Sequence, residues 1–423
     1  MFFLSLIWAW TAYNLYSPHR GKPEALAVTS FLLGLLVGEF ALHVIALEVA
    51  LTLLFVSADE LSGLGDALGL AIAMASWVAI GLFYFRGQRA APVMEQAVRY
   101  GLALSADAPL PSPPADTPPL TLHDPTLKRL VNPFAFSPPG VTVKRNVVYH
   151  HEQGRPLHVD IYSPAEKPEN APVLLQIHGG AWLERLGSKE QQGRPLMAQM
   201  AENGWICVAA EYRLSPGATF PDHIIDCKRA LCWVKENIGD YGGNADFIVV
   251  TGGSAGGHLS ALLALSANAP EFQPGFEDKN TAVQGCIPFY GFYDFLNLKQ
   301  QRTNLGVETW VFSKLFKKTQ AEAPALWKSG CPATWASDKA PPFLIIHGEC
   351  DTLVPCTESR NLYEVLQEKS ASAVAYAELP DAQHAFDIPL SLRTQIVVNY
   401  LTIYLAELHR RYREPAQSNS AEG

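Results

Sequence analysis

The sequence predicts two unlike parts: about three apolar helices fit to span a bilayer, then an α/β domain whose mainly parallel sheet carries helices on both faces. Three observations lead there. The first 86 residues hold three apolar stretches, Phe2–Tyr16, Ala25–Val56 and Leu68–Phe85. From about Val141 the pattern changes to short β-branched runs alternating with helix-like segments, as in a parallel sheet with crossover helices. Between the two lies a proline-rich stretch, residues 105–140, with six prolines from Ala106 to Pro119 and then Pro133, Pro138 and Pro139. Such a run resists helix and keeps the chain extended. The division expected is 1–86 membrane helices, 87–140 linker, 141–412 the α/β domain and 413–423 a disordered tail, with the domain standing apart from the helices.

A helix needs about 20 apolar residues to cross a bilayer. The third stretch meets that length, the second must tilt, bend or protrude, and the first is short. Trp8, Trp10, Tyr13 and Tyr16 suit a membrane interface. No Lys or Arg precedes the first run, unlike a cleaved signal peptide. Arg20 and Lys22 follow the first stretch, Asp59, Glu60 and Asp66 follow the second, and Arg86, Arg89 and Arg99 follow the third. The positive-inside rule then places the α/β domain on the cytoplasmic side. Glu39, His43 and Glu48 fall within the second stretch, with Glu39 and His43 on one helix face. They read as polar contacts holding helices together, as a stretch lying partly outside the hydrocarbon, or as a functional group at membrane depth.

The strands are expected at Asn146–His150, Leu157–Tyr162, Val173–His178, Ile206–Glu211, Phe247–Thr251, Cys286–Tyr290, Phe343–His347 and Ala373–Leu379. Only Glu152–Pro156, containing Gly154, separates the first two, so these pair as an antiparallel hairpin. Longer helix-like segments, such as Pro221–Ile238 and Leu390–Arg411, separate most of the later strands. Between Asp294 and Ala340 an insertion carries Leu305, Trp310, Val311, Phe312, Leu315 and Phe316, which suit either core packing or a lid.

Composition narrows the partners. The net charge of −9 and the lack of a basic run argue against a nucleic-acid surface. All seven cysteines lie after residue 200, in an odd number and with no C-x-x-C spacing. That suits free thiols, though Cys350 and Cys356 are close enough to pair, and neither a metal nor a cofactor is expected.

The chemistry concentrates in a few segments. Gly252-Gly253-Ser254-Ala255-Gly256 follows the strand run Phe247–Thr251 and precedes the helix-like Gly257–Ala267. In that context G-x-S-x-G is a nucleophile elbow, with the serine raised on a strained strand-to-helix turn. His178-Gly179-Gly180-Ala181-Trp182 follows another strand, and its glycines allow backbone N–H groups to approach an oxyanion. Gly179, Gly180 and Ala255 are the expected donors, with His178 shaping the loop. A serine nucleophile needs a base, and the base an orienting carboxylate. Among twelve histidines, His384 lies after the last strand, whereas His258 falls on the helix behind the serine and reads as structural. Asp351 follows the strand Phe343–His347, giving the order Ser, Asp, His that this elbow uses. Glu349 is the rival acid.

These segments, with E-Y-R-L-S-P at 211–216, Y-G-F-Y-D at 290–294 and H-G-E-C-D-T-L-V-P at 347–355, bring a family into view. The chain from about 140 to 410 resembles the hormone-sensitive-lipase-like and related carboxylesterase branch of the α/β-hydrolases. The resemblance implies the α/β-hydrolase fold and hydrolysis of a small-molecule or lipid ester through an acyl-enzyme, without a cofactor. Two positions depart from it: Gly253, where many lipase-like members carry an acid, and Ala181, where many carry a third glycine. A peptidase, amidase or acyltransferase on the same triad, or a membrane transport or sensing protein with an idle hydrolase domain, are the alternatives. The oligomeric state has no signature in the sequence.

Overall fold

The computed structural model of the chain describes residues 1–57, 63–113, 118–136, 138–302 and 306–420. Asp59, Glu60 and Leu305, singled out above, lie outside the described residues. The N-terminal part forms α1 (Phe2–Tyr16), α2 (Glu24–Glu39), α3 (Ala41–Ser57), α4 (Leu64–Arg86) and α5 (Ala90–Gly101), followed by the single turn α6 (Leu127–Leu130). The α/β part runs β1 (Val141–Glu152), β2 (Arg155–Pro164), β3 (Ala171–Ile177), α7 (Arg194–Glu202), β4 (Ile206–Ala210), α8 (Asp222–Asn237), β5 (Gly243–Gly253) and α9 (Ala255–Leu265). It continues through β6 (Gly285–Phe289), α10 (Gly306–Phe316), α11 (Pro324–Ser329), β7 (Phe343–Gly348), α12 (Thr357–Lys369), β8 (Val374–Leu379) and α13 (Leu392–Ser420).

All eight strands fall where the β-branched runs put them. They form one sheet in the order β1-β2-β4-β3-β5-β6-β7-β8. β1 and β2 make the expected hairpin, turning through Gln153 and Gly154 at φ 49° and 79°. That pair of positive φ values is the turn whose twist suits a hairpin. β2 also runs antiparallel to β4, and every later pairing is parallel. Alternate residues divide between two cores: Val173, Leu175 and Ile177 face α8 and α9, while Leu174 faces the layer of α5, α7 and α13. A strand covered on both faces needs apolar residues at both parities, which is why β3 is apolar at every position but Gln176.

The N-terminal part departs from expectation. The second apolar stretch is two helices, α2 and α3, bent by 88° at Phe40. α1 has only 15 residues. Among the described residues, the helix from Leu64 to Gly101 is the one long and apolar enough to cross a membrane, and α2 with α3 qualifies only as a bent pair. The expected three spans therefore reduce to one, or two if the bent pair counts. Residues 90–101, placed in the linker, form a core helix. Ala90, Met94, Ala97 and Val98 of α5 are buried against β8 and α13. These residues are apolar at helical spacing, but the adjoining membrane-like stretch and prolines masked them as a domain element. The tail expected to be disordered from 413 is helical to Ser420, because α13 simply continues. The insertion is mostly core packing: Val311, Phe312, Leu315 and Phe316 are buried, and Trp310 stands exposed.

Candidate active site

β5 ends in seven buried residues and delivers Ser254 to the start of α9. Ser254 sits at φ 58° and ψ −120°, a strained conformation for any residue with a Cβ. The turn is tight because its neighbours are small. A Cβ on Gly256 would lie 2.0 Å from the Ile177 carbonyl oxygen. Gly253 has a different reason. A Cβ there would lie 2.6 Å from the hydroxyl of Tyr290, which fills the space and bonds to Asp387. The acid common at this position in lipase-like members has no room here.

The structure brings the three expected catalytic residues together. His384 Nε2 lies 2.9 Å from Ser254 Oγ, and His384 Nδ1 lies 2.6 Å from Asp351 Oδ2. Asp351 is fully enclosed. Its Oδ1 accepts the N–H groups of Leu353 and Val354 at 2.9 and 2.8 Å, and His347 Nε2 lies 3.2 Å from its Oδ2. Burial pushes the Asp351 carboxyl up, but the charge of His384 and the hydrogen bonds from His347 and His384 outweigh it and hold the group well below the usual carboxylate range. Glu349, the rival acid, instead accepts the N–H of Asp381.

The other sequence candidates separate cleanly. His178 stacks on Tyr212 with ring centroids 4.4 Å apart, and burial pushes its pKa down to about 4. Its Nδ1 lies 2.8 Å from the Gly179 carbonyl, so it shapes the loop. His258 lies behind the elbow, 2.7 Å from the Gly330 carbonyl and edge-on to Trp182 and Phe295. Of the three expected oxyanion donors, Gly179 is engaged: its N–H donates to Gln192 Oε1 at 2.6 Å. Gly180 at φ 111° and Ala181 at φ 52° then turn the loop past the serine.

Several contacts at the site were not foreseen. Gln383 Oε1 accepts the N–H of Thr352 at 2.8 Å and that of His384 at 3.0 Å, tying the acid loop to the histidine loop. Tyr290 lies against His384 with ring centroids 4.7 Å apart. Asp381 is paired with Arg86 and Arg89, residues read above only as membrane-flanking charges. Glu39 accepts a hydrogen bond from Ser391 at 2.6 Å and pairs with Arg393. His43 Nε2 lies 3.0 Å from the Val131 carbonyl. Glu39 and His43 thus fasten α2 and α3 to residues 391–393 and to Val131 rather than the apolar helices to one another. Cys350 and Cys356 are both free thiols.

Fold and elbow together are those of the α/β-hydrolases, with Ser254, His384 and Asp351 in one hydrogen-bonded line. Comparison with known proteins agrees. Residues 159–366 match the BD-FAE family. The chain is 45% identical over 241 residues to esterase LipQ of Mycobacterium tuberculosis, a match covering 57% of this chain and 56% of that one. It is 45% identical over 267 residues to the probable carboxylic ester hydrolase LipM of the same organism, covering 62% and 61%. The match thus spans about three-fifths of the length of these relatives. Among solved structures, a truncated carbohydrate esterase from gut microbiota superposes with a TM-score of 0.55 at 24% identity, covering 63% of this chain and 96% of that one. That last likeness bears on the fold. α1 to α6 lie outside the BD-FAE match.

Proposed function

We propose that this chain is a membrane-anchored serine carboxylesterase that hydrolyses acyl esters through an acyl-enzyme. The observation that carries the reading is the unbroken hydrogen-bonded line Ser254–His384–Asp351. Ser254 Oγ passes its proton to His384 Nε2 as it attacks the ester carbonyl. Asp351, held ionised, orients the imidazole and stabilises the imidazolium. The backbone N–H groups of Gly180 and Ala255 receive the oxyanion, while Gly179, bound by Gln192, braces the loop. His384 then protonates the departing alkoxide, and water, deprotonated by the same imidazole, releases the acid. The esterase names of the two relatives at 45% identity support this chemistry. The test is covalent labelling of the full chain with an organophosphonate, alongside hydrolysis of p-nitrophenyl esters. Both should vanish in Ser254→Ala, and labelling that persists there would place the nucleophile elsewhere.

The membrane part of the proposal rests on exposed apolar side chains. Phe3, Leu6 and Ile7 on α1, Leu47, Leu53 and Leu54 on α3, and Val78, Leu82 and Phe85 on α4 all face outward. Apolar surface of this extent fits lipid rather than water. The free thiols and the position of Arg20, Arg86 and Arg89 favour the cytoplasmic side for the hydrolase domain. Resistance of the chain to carbonate extraction from membranes, with protease access to the domain only from the cytoplasmic face, is the expected result.

A further inference from the structure

We propose that α2 is a working part of the catalytic site: it positions the histidine and acid loops, so turnover depends on the N-terminal helices even for an ester dissolved in water. This inference rests on the hydrolase reading above. The contacts run the length of the helix. Just before it, Arg20 Nη2 donates to the Glu349 carbonyl at 2.9 Å, two residues ahead of the acid. The Ala27 carbonyl accepts from Thr352 Oγ1 at 2.9 Å, one residue beyond the acid. One turn on, Phe31 meets the His384 imidazole edge to face, with ring centroids 5.8 Å apart and planes at 76°. Gly34 then passes directly over Gln383, where a Cβ would lie 2.9 Å from Gln383 Cγ. At the far end Glu39 holds Ser391 and Arg393. Ala27, Phe31 and Gly34 follow i, i+4, i+7 spacing, so a single helix face makes these contacts.

Gln383 explains why that face matters. One side chain accepts N–H groups from both Thr352 and His384. α2 closes over it, so Gln383 cannot shift without moving the helix. Phe31 packs with the core that includes Tyr290, Ala382 and Ala385 and covers the imidazole from the helix side. A reacting group displaced by about 1 Å costs on the order of 10²-fold in rate. Phe31 and Gly34 are therefore positioning residues, acting through His384 and Gln383.

The test uses the full-length protein in detergent micelles with p-nitrophenyl acetate, a soluble ester for which membrane concentration plays no part. Gly34→Ala is the decisive variant. Alanine is the better helix former but its methyl meets Gln383, so a purely structural role predicts a shifted thermal transition with unchanged turnover per folded site. Positioning predicts that kcat falls by roughly tenfold or more at nearly unchanged KM, because the new methyl displaces Gln383. Phe31→Ala should act in the same way, and Phe31→Leu, which refills most of the volume, should recover part of the loss. Wild-type kcat in both Gly34→Ala and Phe31→Ala would overturn the proposal. So would a loss of kcat that disappears once turnover is counted per phosphonate-titrated site. A wild type that the phosphonate leaves unlabelled would overturn the hydrolase reading and this one together, whereas a labelled wild type with unaffected variants overturns this one alone.

Discussion

At the scale of single residues, the site separates groups that sequence spacing leaves level. Asp351 and Glu349 stand two residues apart, yet one meets His384 and the other caps the Asp381 turn. Asp351→Asn should lower kcat by about 10⁴-fold, because it takes the wrong imidazole tautomer while keeping the shape. Glu349→Gln should leave kcat within a few-fold, and the opposite ranking in steady-state kinetics would exchange their roles. The buried histidines give a second prediction. Burial pushes His178, His223 and His258 down to about 4, 3 and 4 from an ordinary 6.5. The unfolded chain takes up protons at these groups as pH falls through 6.5, and the folded chain does not until near 4. Their neutral burial is therefore increasingly unfavourable below pH 6.5, and stability falls with pH across that window. Thermal melts between pH 7 and 4.5 should show a steadily dropping midpoint. A level midpoint would mean that these histidines are not held neutral.

At the scale of elements, much of the hydrolase domain was legible. The inner parallel strands are buried on both faces and so carry short, mostly apolar runs. The elbow was legible because the turn tolerates only small residues beside Ser254. α5 and α2 were not. Both lie within or beside apolar stretches whose composition matches a bilayer as well as it matches a protein core, and periodicity cannot tell the two environments apart. The bridging role of Gln383 was not legible, because it depends on two loops that only the folded sheet brings together. The clasp between α2 and α13 gives a prediction at this scale. Glu39 and Arg393 are each 3% exposed at the side chain, so Glu39→Ala leaves a buried guanidinium without its carboxylate. Loss of one partner of such a pair costs about 3–5 kcal/mol. Chemical denaturation of the variant in detergent should show that loss, and an unchanged midpoint would mean that the clasp carries no net stability.

At the scale of the whole molecule, the contacts of α2 and α5 argue against an independent hydrolase domain. A chain beginning at Val141 would lack α5 and uncover the face of β8 and α13 that Met94, Val98 and Leu102 bury. It would also lack every α2 contact with the catalytic loops. Such a chain should aggregate, since the uncovered surface is apolar and contiguous. A chain beginning near Ala90 regains the core helix and should be more soluble, yet turn over slowly because α2 is still missing. Comparing the two by size-exclusion chromatography and by hydrolysis of p-nitrophenyl acetate separates these contributions. Equal solubility and full activity in both would restore the modular view.

The placement of α5 also bears on how the molecule is made. It leaves the ribosome early, but its packing partners β8 and α13 begin about 270 residues later. At roughly 5–20 residues per second, that interval is on the order of 15–55 s. Throughout it Met94 and Val98 lack most of their native cover. The sheet can be laid down strand by strand during this wait, but its outer layer closes only when the last tenth of the chain arrives. Synthesis arrested after β7 (Phe343–Gly348) would therefore yield a nascent chain with the serine elbow built, the histidine absent and α5 without β8 and α13, its main packing partners.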